Sequence, residues 1–456
     1  MQVKSHDQLP QHVYEQVKVQ LSEIQATERQ PATLLVGLSA GLDSVVLLHL
    51  LSFVCARFEN TAIHAIHVNH GVNEDCDQWA EFCQRYCDRL DIPLVISQQK
   101  LINVKSNREA VFRARRYEVF SCHLPKEGLL FTAHHQNDQA ETILFNLFRG
   151  TGIRGLTAMK PCMTFGPGKL VRPLLSIPRS LLLQYAQSHN LSWVDDPSND
   201  DTDLDRNYIR HRVIPVIERR WPAAQSSISR TGRNLRQAEQ IIDEVGMQDI
   251  ESCAQADYPG VIGNAYLAVL NLGQFHQLSS PRQFNAIRLW IYTNTRITVS
   301  SDQLQQIIRD LCAESRSGLF EFNGYQLRVY KEALYLMHTM PKPVQHIENP
   351  IIHDDCYIFK GLSVSIRIRG NAKTRSQSNS GFRFLSRKGG ERIRHHGQTQ
   401  RLKSLYQQNS IPTWERDLIP LIYQDDRLIA VPGVVLADNC PFDQSSISKY
   451  TDQAGK

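Results

Sequence analysis

No Cys-x-x-Cys occurs in the 456 residues, although ten cysteines are scattered from Cys55 to Cys440. Structural zinc sites and redox dithiols need close pairs, so these read as reduced, mostly buried thiols. No apolar run approaches the roughly 20 residues that cross a bilayer. Met1 to Gln20 is polar and mixed in charge, without the apolar stretch of a secretory signal. A cytoplasmic location with no membrane partner is therefore expected. Internal repeats and low-complexity tracts are absent, which excludes solenoids and propellers. A strong charge of one sign is also missing: the net charge is only +5, so a polyanionic partner must be argued from where the basic residues sit.

What is present is an ordinary globular composition, long enough for two to four domains. The first half alternates β-rich and helical runs, the pattern of parallel βαβ units. Strands are expected at Thr33–Leu38, Ala62–Val68, Pro93–Ser97 and Leu129–Ala133, with a short fifth near Leu170–Val171. Helices are expected at Asp43–Leu51, Asp75–Leu90, about Asn107–Phe120, about Asn137–Phe148, and Arg179 to about Arg220. The fold class expected is α/β, an N-terminal doubly wound parallel five-stranded sheet followed by two smaller C-terminal α+β domains. The boundaries expected are 1–220, 221–342 and 343–456. In the middle part, helices are expected at Ser226–Glu251, Pro281–Thr293 and Ser301–Cys312, with strands at Gly318–Phe322 and Leu327–Met337. Pro341–Asp355 reads as a linker.

Open parallel sheets bind ligands beyond the carboxyl ends of their strands. Three strands here end in polar tripeptides, Ser39-Ala40-Gly41, Asn69-His70-Gly71 and His134-His135-Gln136, which would converge on one rim. In Ser39-Ala40-Gly41-Leu42-Asp43-Ser44, small residues let the backbone approach an anion, and the amides opening the next helix would face it. The hydroxyls of Ser39 and Ser44 add donors, and Asp43 suits a magnesium ion bridging phosphates. No lysine follows the glycine at Walker spacing, so this is not that phosphate loop. The same residues also suit a plain capped turn. On the helix from Asn137, the residues Ala140, Ile143, Leu144 and Leu147 form a buried stripe. Asp138 projects opposite that stripe and Glu141 lies about 60° from it. Two carboxylates so placed can bind a cation or an ammonium group or act as a base, or simply complement the helix dipole.

The loop after the first strand resembles the pyrophosphate loop of N-type ATP pyrophosphatases, with Ala40 where that family has glycine. Ala133-His134-His135-Gln136-Asn137-Asp138-Gln139-Ala140-Glu141-Thr142 resembles the tRNA(Ile)-lysidine synthases specifically, with Asn137 where they usually have Asp. Further matches follow in order: His67-Val68-Asn69-His70-Gly71; Glu109, Arg113, Arg116 and Tyr117; Arg149-Gly150-Thr151-Gly152-Ile153-Arg154-Gly155-Leu156; Arg172-Pro173-Leu174-Leu175; Asp196-Pro197-Ser198-Asn199; and Arg206-Asn207-Tyr208-Ile209-Arg210. The resemblance is dense from Leu34 to Pro222, looser in the middle, and returns around Lys388-Gly389-Gly390-Glu391-Arg392 and Leu402-Lys403-Ser404-Leu405.

That resemblance implies a ligase that adenylates the wobble cytidine of isoleucine tRNA with a CAU anticodon and joins L-lysine to it. ATP and Mg2+ would be the cofactors. Asp43, Arg113, His134, Asp138 and Glu141 would be catalytic, Asp138 positioning or deprotonating the lysine amine. Ser39, Ala40, Gly41, Leu42, Asp43, Ser44, His67, Asn69, Arg206 and Arg210 would bind the nucleotide, with Asp43 as metal ligand. The middle and C-terminal parts would bind tRNA, with Arg149, Arg154, Arg383, Arg387, Lys388, Arg392, Arg394 and Lys403 as contacts. A second copy in a homodimer is the remaining partner expected. A tRNA thiolase on the same fold, an ammonia-using synthetase acting on a small molecule, and a tRNA-binding paralogue with impaired catalysis are the alternatives.

Overall fold

The computed structural model describes residues 3–25, 32–71, 75–99, 108–255, 266–312, 319–339, 351–353, 356–358, 365–370, 382–440 and 442–450. The chain divides into two compact units, Met1–Gln240 and Ile241–Lys456.

The first unit begins with α1 (Leu9–Gln25) and then alternates β1 (Ala32–Gly37), α2 (Leu42–Cys55), β2 (Thr61–Asn69), α3 (Asp75–Leu90), β3 (Leu94–Gln98), α4 (Arg108–His123), β4 (Leu129–Phe131) and α5 (Gln136–Phe148). A short α6 (Ile153–Leu156), β5 (Cys162–Phe165), β6 (Gly168–Val171) and α7 (Arg179–Ser188) follow. The sheet order is β3-β2-β1-β4-β6-β5. Five strands are parallel as expected, and β5 adds an antiparallel edge on β6 that the sequence did not signal. Helix α2 is apolar on nearly every side because α1 and α7 cover the face turned away from the sheet. The other sheet face packs on Val119 and Phe120 of α4 and on Leu124 just after it.

The single helical segment expected from Arg179 to Arg220 is broken. Helix α7 stops before Asn190, which adopts φ 49°, and Asp196 caps a turn at Pro197–Asp200. The chain resumes as α8 (Asp205–Tyr208), a π turn (Ile209–Val213) and α9 (Ile214–Arg220), whose Pro215 cannot donate into a regular ladder. Helix α10 (Ala224–Cys253) follows.

In the second unit, β7 (Tyr266–Asn271), β8 (Leu319–Phe322), β9 (Tyr325–Tyr330) and β10 (Ala333–His338) form an antiparallel sheet of order β7-β10-β9-β8. Helices α11 (Leu272–His276), α12 (Ser280–Thr295) and α13 (Ser301–Cys312) share its core, with Trp290 and Ile291 at the centre. The expected strand Leu327–Met337 is two strands, reversed at Lys331 with φ 53°. Most of the linker Pro341–Asp355 lies outside the described residues, apart from β11 (Ile351–His353), which pairs with β12 (Cys356–Ile358). The remaining chain forms β13 (Ser365–Gly370), β14 (Phe382–Leu385), a hairpin of β15 (Arg392–His395) and β16 (Gln398–Arg401), α14 (Leu402–Gln408), α15 (Thr413–Arg416), β17 (Leu421–Gln424), β18 (Arg427–Val431), β19 (Val435–Leu436) and β20 (Phe442–Tyr450). Glu415 on α15 is fully buried and accepts the hydroxyl of Tyr266 on β7, which in turn accepts the Trp414 indole at 3.1 Å.

The contact of α2 with α7 includes a titratable pair. His49 shares a 3.0 Å hydrogen bond with the Tyr185 hydroxyl, and burial, with His189 beside it, pushes the imidazole down to about 4. The unfolded chain, with an ordinary value near 6.5, binds that proton more readily. The contribution of His49 is therefore intact above about pH 6.5 and is lost as pH falls toward 4, with a slope of at most about 1.4 kcal/mol per unit. His49→Gln should flatten this part of the stability profile, measured by denaturant unfolding between pH 7 and 4; an unchanged slope would contradict the assignment.

Candidate active site

The strand order turns back between β1 and β4, so the crevice at the carboxyl ends of these two strands is the switch point of the sheet. The loop after β1 and the turn after β4 form its walls.

In the first wall Ala40 has φ 67° and is fully buried, and its carbonyl accepts the Val194 amide at 3.0 Å. A left-handed alanine costs roughly 1–2 kcal/mol, so the glycine expected at this position has a conformational reason. Gly41 is the N-cap of α2. The amides of Ser44 and Val45 both return to the Gly41 carbonyl at 3.1 Å, which leaves those of Leu42 and Asp43 at the mouth of the helix. The Ser44 hydroxyl accepts the Ser39 amide and hydroxyl, each at 3.1 Å, and donates to Gly41 at 2.9 Å. Ser44 therefore shapes the loop, and Asp43, with its side chain 28% exposed, stands in the first turn of α2.

The second wall is closed by His135, a residue the sequence reading passed over in favour of His134. His135 caps α5: its amide donates to Asp138 Oδ2 at 2.9 Å, and its Nδ1 accepts the Asp138 amide at 3.4 Å. With Nδ1 accepting, the ring proton sits on Nε2, 3.5 Å from Asp43 Oδ2 and 3.4 Å from Asp138 Oδ2. One imidazole thus joins the carboxylate of the loop to the carboxylate of the helix. Burial by itself lowers the His135 pKa, but Asp138 and Asp43 outweigh it and raise the ring above its ordinary value. Burial likewise would raise Asp138, yet His135, Arg206 and His134 hold its carboxyl well below the usual range. His134 behaves oppositely: burial drives it down to about 3, and its Nδ1 lies 3.0 Å from the Thr132 hydroxyl.

Asp138 and Glu141 do not stand open at the helix surface, as their angular position suggested. Arg206 and Arg210 cover them. Arg206 donates to Glu141 at 3.1 Å and Asp138 at 3.0 Å; Arg210 donates to Glu141 at 2.7 and 2.9 Å and reaches Asp138 at 3.5 Å. The side chain of Asp138 is 13% exposed and that of Glu141 2%, so Asp138 is the member a ligand can reach.

The other residues expected here divide into those near the crevice and those spent on structure. His67 donates from Nδ1 to the Leu38 carbonyl at 2.9 Å, tying the end of β2 to the start of the loop; its Nε2 is buried without a hydrogen-bond partner among the described residues. Asn69 closes its own turn, accepting the Gly71 amide at 2.8 Å and donating to Asp77 at 2.9 Å. Arg113 lies 5.2 Å over the Tyr117 ring and is close enough to His134 to depress it. The side chain of Glu109 lies outside the described residues. Arg149 sits 5.1 Å over Phe145, and Arg154 pairs with Glu239 at 3.1 Å. Their Gly-rich segment is held on both sides: Gln139 brackets the backbone of Met159 at 2.8 Å twice, Asn146 donates to Gly155 at 2.7 Å, and Arg236 donates to Thr157 and Met159 at 3.0 and 2.7 Å.

In the second unit, Arg383 pairs with Asp426, Arg387 with Asp417 at 3.3 Å, and Arg394 with Asp438 at 3.8 Å. Lys388, Arg392 and Lys403 are exposed.

A second residue missed in the sequence is Arg179. Asn137 accepts its amide at 3.0 Å, and its Nε lies 3.6 Å from Asp43 Oδ1. Neither omission had a strong local signal. Histidine is an uncommon N-cap, and nothing near Arg179 announces that α7 begins at the rim.

Ala40→Gly should remove the left-handed penalty, of which the greater freedom of glycine in the unfolded chain returns about 0.4–1 kcal/mol. The variant should be equally or slightly more stable with ATP use unchanged, measured by thermal unfolding and the KM for ATP. A large loss of ATP use would mean the loop serves something else.

Three family models match this chain: a PP-loop domain over residues 13–217, a TilS substrate binding domain over 270–335 and a TilS substrate C-terminal domain over 383–448. Among curated relatives, tRNA(Ile)-lysidine synthase of Coxiella burnetii is 34% identical over 88% of this chain and 89% of that protein. The enzyme of the same name from Pseudomonas syringae pv. tomato is 35% identical over 91% of each chain. That from Serratia proteamaculans is 33% identical over 89% of this chain and 92% of its own. With a PP-loop domain built around the crevice and relatives matched across most of both chains, the chain belongs to the tRNA(Ile)-lysidine synthase family.

Proposed function

We propose that this chain ligates L-lysine to C2 of the wobble cytidine of isoleucine tRNA with a CAU anticodon, through an adenylated cytidine and with release of pyrophosphate and AMP. The observation that carries this reading is the single imidazole of His135 between Asp43, on the anion-facing loop, and Asp138, on the acidic wall. Phosphate chemistry and amine chemistry would then run within one side chain's reach of each other.

The amides of Leu42 and Asp43 and the mouth of α2 receive phosphate oxygens. Asp43 fits magnesium, since its Oδ1 is buried without a hydrogen-bond partner among the described residues. No group of three or more His, Cys, Asp or Glu residues suited to a metal occurs among the described residues, so the ion would be held by Asp43 together with the phosphates of ATP. When bound it would neutralise phosphate charge. The cytidine carbonyl oxygen attacks the α-phosphorus and pyrophosphate leaves; the lysine ε-ammonium then gives up a proton to solvent, and the free amine attacks C2 as AMP departs with that oxygen. Asp138 suits the holding of the incoming ammonium rather than its deprotonation. A carboxyl held far below neutrality is a poor base but a dependable anion. Glu141, beneath two guanidiniums, sets the wall rather than meeting substrate. His134, neutral at physiological pH, can only offer a hydrogen bond.

We further assign tRNA binding to the middle and C-terminal parts, with exposed Lys388, Arg392 and Lys403 meeting phosphates and Arg149 and Arg154 serving near the crevice. The thiolase alternative is disfavoured by Cys162. Its thiol donates to Gln20 at 3.1 Å and burial raises its pKa, the reverse of an activated thiolate.

Incubation with ATP, labelled lysine and isoleucine tRNA bearing CAU should transfer label to that tRNA and not to methionine tRNA with the same anticodon. Asp138→Ala should lower the transfer by about 10²-fold or more, on the scale of losing one preorganised electrostatic group. Label on both tRNAs would defeat the assignment of substrate, and near wild-type transfer in Asp138→Ala would defeat that of the amine site.

A further inference from the structure

Arg206 and Arg210 were the cations expected at the phosphates, but their guanidiniums are committed to Asp138 and Glu141 through bonds as short as 2.7 Å. A different arginine stands at the loop. Arg179 opens α7, a ten-residue helix whose own N-cap, Pro178, offers no side-chain acceptor. The start of α5 supplies what Pro178 lacks. Asn137 Oδ1 accepts the Arg179 amide at 3.0 Å, the Gln136 amide donates to Ile177 at 2.9 Å, and Gln136 Nε2 donates to Ser176 at 3.3 Å. One hydrogen bond to the Arg179 amide and two to the carbonyls of Ile177 and Ser176 just before it therefore fix the start of α7 to the segment that also carries His135. Its side chain is nearly half exposed, and its Nε lies 3.6 Å from an Asp43 oxygen that is buried without a hydrogen-bond partner among the described residues. That is ion-pair distance without a bond: a guanidinium anchored at its base, loosely held at its tip, beside the amides that open α2.

We propose that Arg179 binds the β- and γ-phosphates of ATP, and the pyrophosphate they become, and that Asn137 is the positioning residue that holds it there. The inference rests on the reading of the loop at 39–44 as the ATP site. A guanidinium offers a planar fork of donors that matches two phosphate oxygens at once, and charge accumulates on the leaving pyrophosphate as the α-phosphorus is attacked. It also explains how asparagine serves at position 137. The Arg179 amide needs only an acceptor oxygen, which an amide side chain provides as well as a carboxylate does.

The test is calorimetric titration of the full chain with magnesium and, separately, ATP, pyrophosphate and AMP, without tRNA or lysine. Arg179→Ala should weaken ATP and pyrophosphate by about tenfold or more, the scale of one charge-assisted bond, while AMP binding, which also reports an intact fold, stays at the wild-type value. Arg179→Lys should recover part of the loss. Asn137→Leu should weaken the same two ligands, and Asn137→Asp, which keeps the acceptor, should restore them. Wild-type pyrophosphate affinity in Arg179→Ala, or an equal loss for AMP, overturns the proposal while leaving the loop reading intact. Failure of the wild-type chain to bind ATP overturns the loop reading and this proposal with it.

Discussion

Two carboxylates lie under the first turns of α5, and nearly everything around the crevice follows from keeping them charged there. Burying a carboxylate without a partner is costly, by several kcal/mol even after relaxation. Glu141, 2% exposed, is tolerable only because Arg206 and Arg210 are delivered to it. They come from one face of a helical stretch four residues apart, which fixes α8 and the π turn against α5. Asp138 carries the constraint toward the sheet. Its bonds to His135 complete the cap of α5, and the remaining nitrogen of that ring reaches Asp43. Acid pair, cap and the loop at 39–44 thus form one connected set of polar contacts.

The sequence made the frame of this arrangement legible because strong local patterns generate it. Apolar runs marked β1, β2 and β4, and their polar ends marked a common rim. Ala140, Ile143 and Leu144 of the apolar stripe on α5 set the directions of Asp138 and Glu141, whereas Leu147, expected in the same buried stripe, is 52% exposed. Helical angle says where a side chain points, however, and not what lies over it. The arginines that bury the pair come from more than sixty residues further along the chain. The edge strand β5 and the reversal at Lys331 escaped for a similar reason, being short or lacking the usual turn residues. Ala40 is the instructive middle case. Resemblance marked the position as unusual, but only the backbone gave the sign of φ, which makes the alanine a strained choice.

The C-terminal basic residues show the difference between counting charges and locating a field. From Arg383 to Lys403 the sequence is dense in lysine and arginine, yet Arg383, Arg387 and Arg394 already face aspartates brought in from Asp417 to Asp438. The positive charge on this part that has no ion pair among the described residues therefore rests on fewer side chains than the sequence suggests, among them Lys388, Arg392 and Lys403. The same unit is stitched internally by polar contacts in its interior, where the Tyr266 hydroxyl donates a hydrogen bond to Glu415 and accepts one from the Trp414 indole.

The glycine-rich stretch after α5 has a consequence for recognition. Glycines at 150, 152 and 155 suggest a loose tether, but Gln139, Asn146, Arg236 and Glu239 fasten the stretch to the helices on either side. Any surface it displays, including Ile153, is already shaped before a partner arrives. Such a surface gives up little conformational freedom on contact, so its discrimination comes from fit rather than from folding around whatever lands on it. A rigid template of this kind favours one contour over near neighbours.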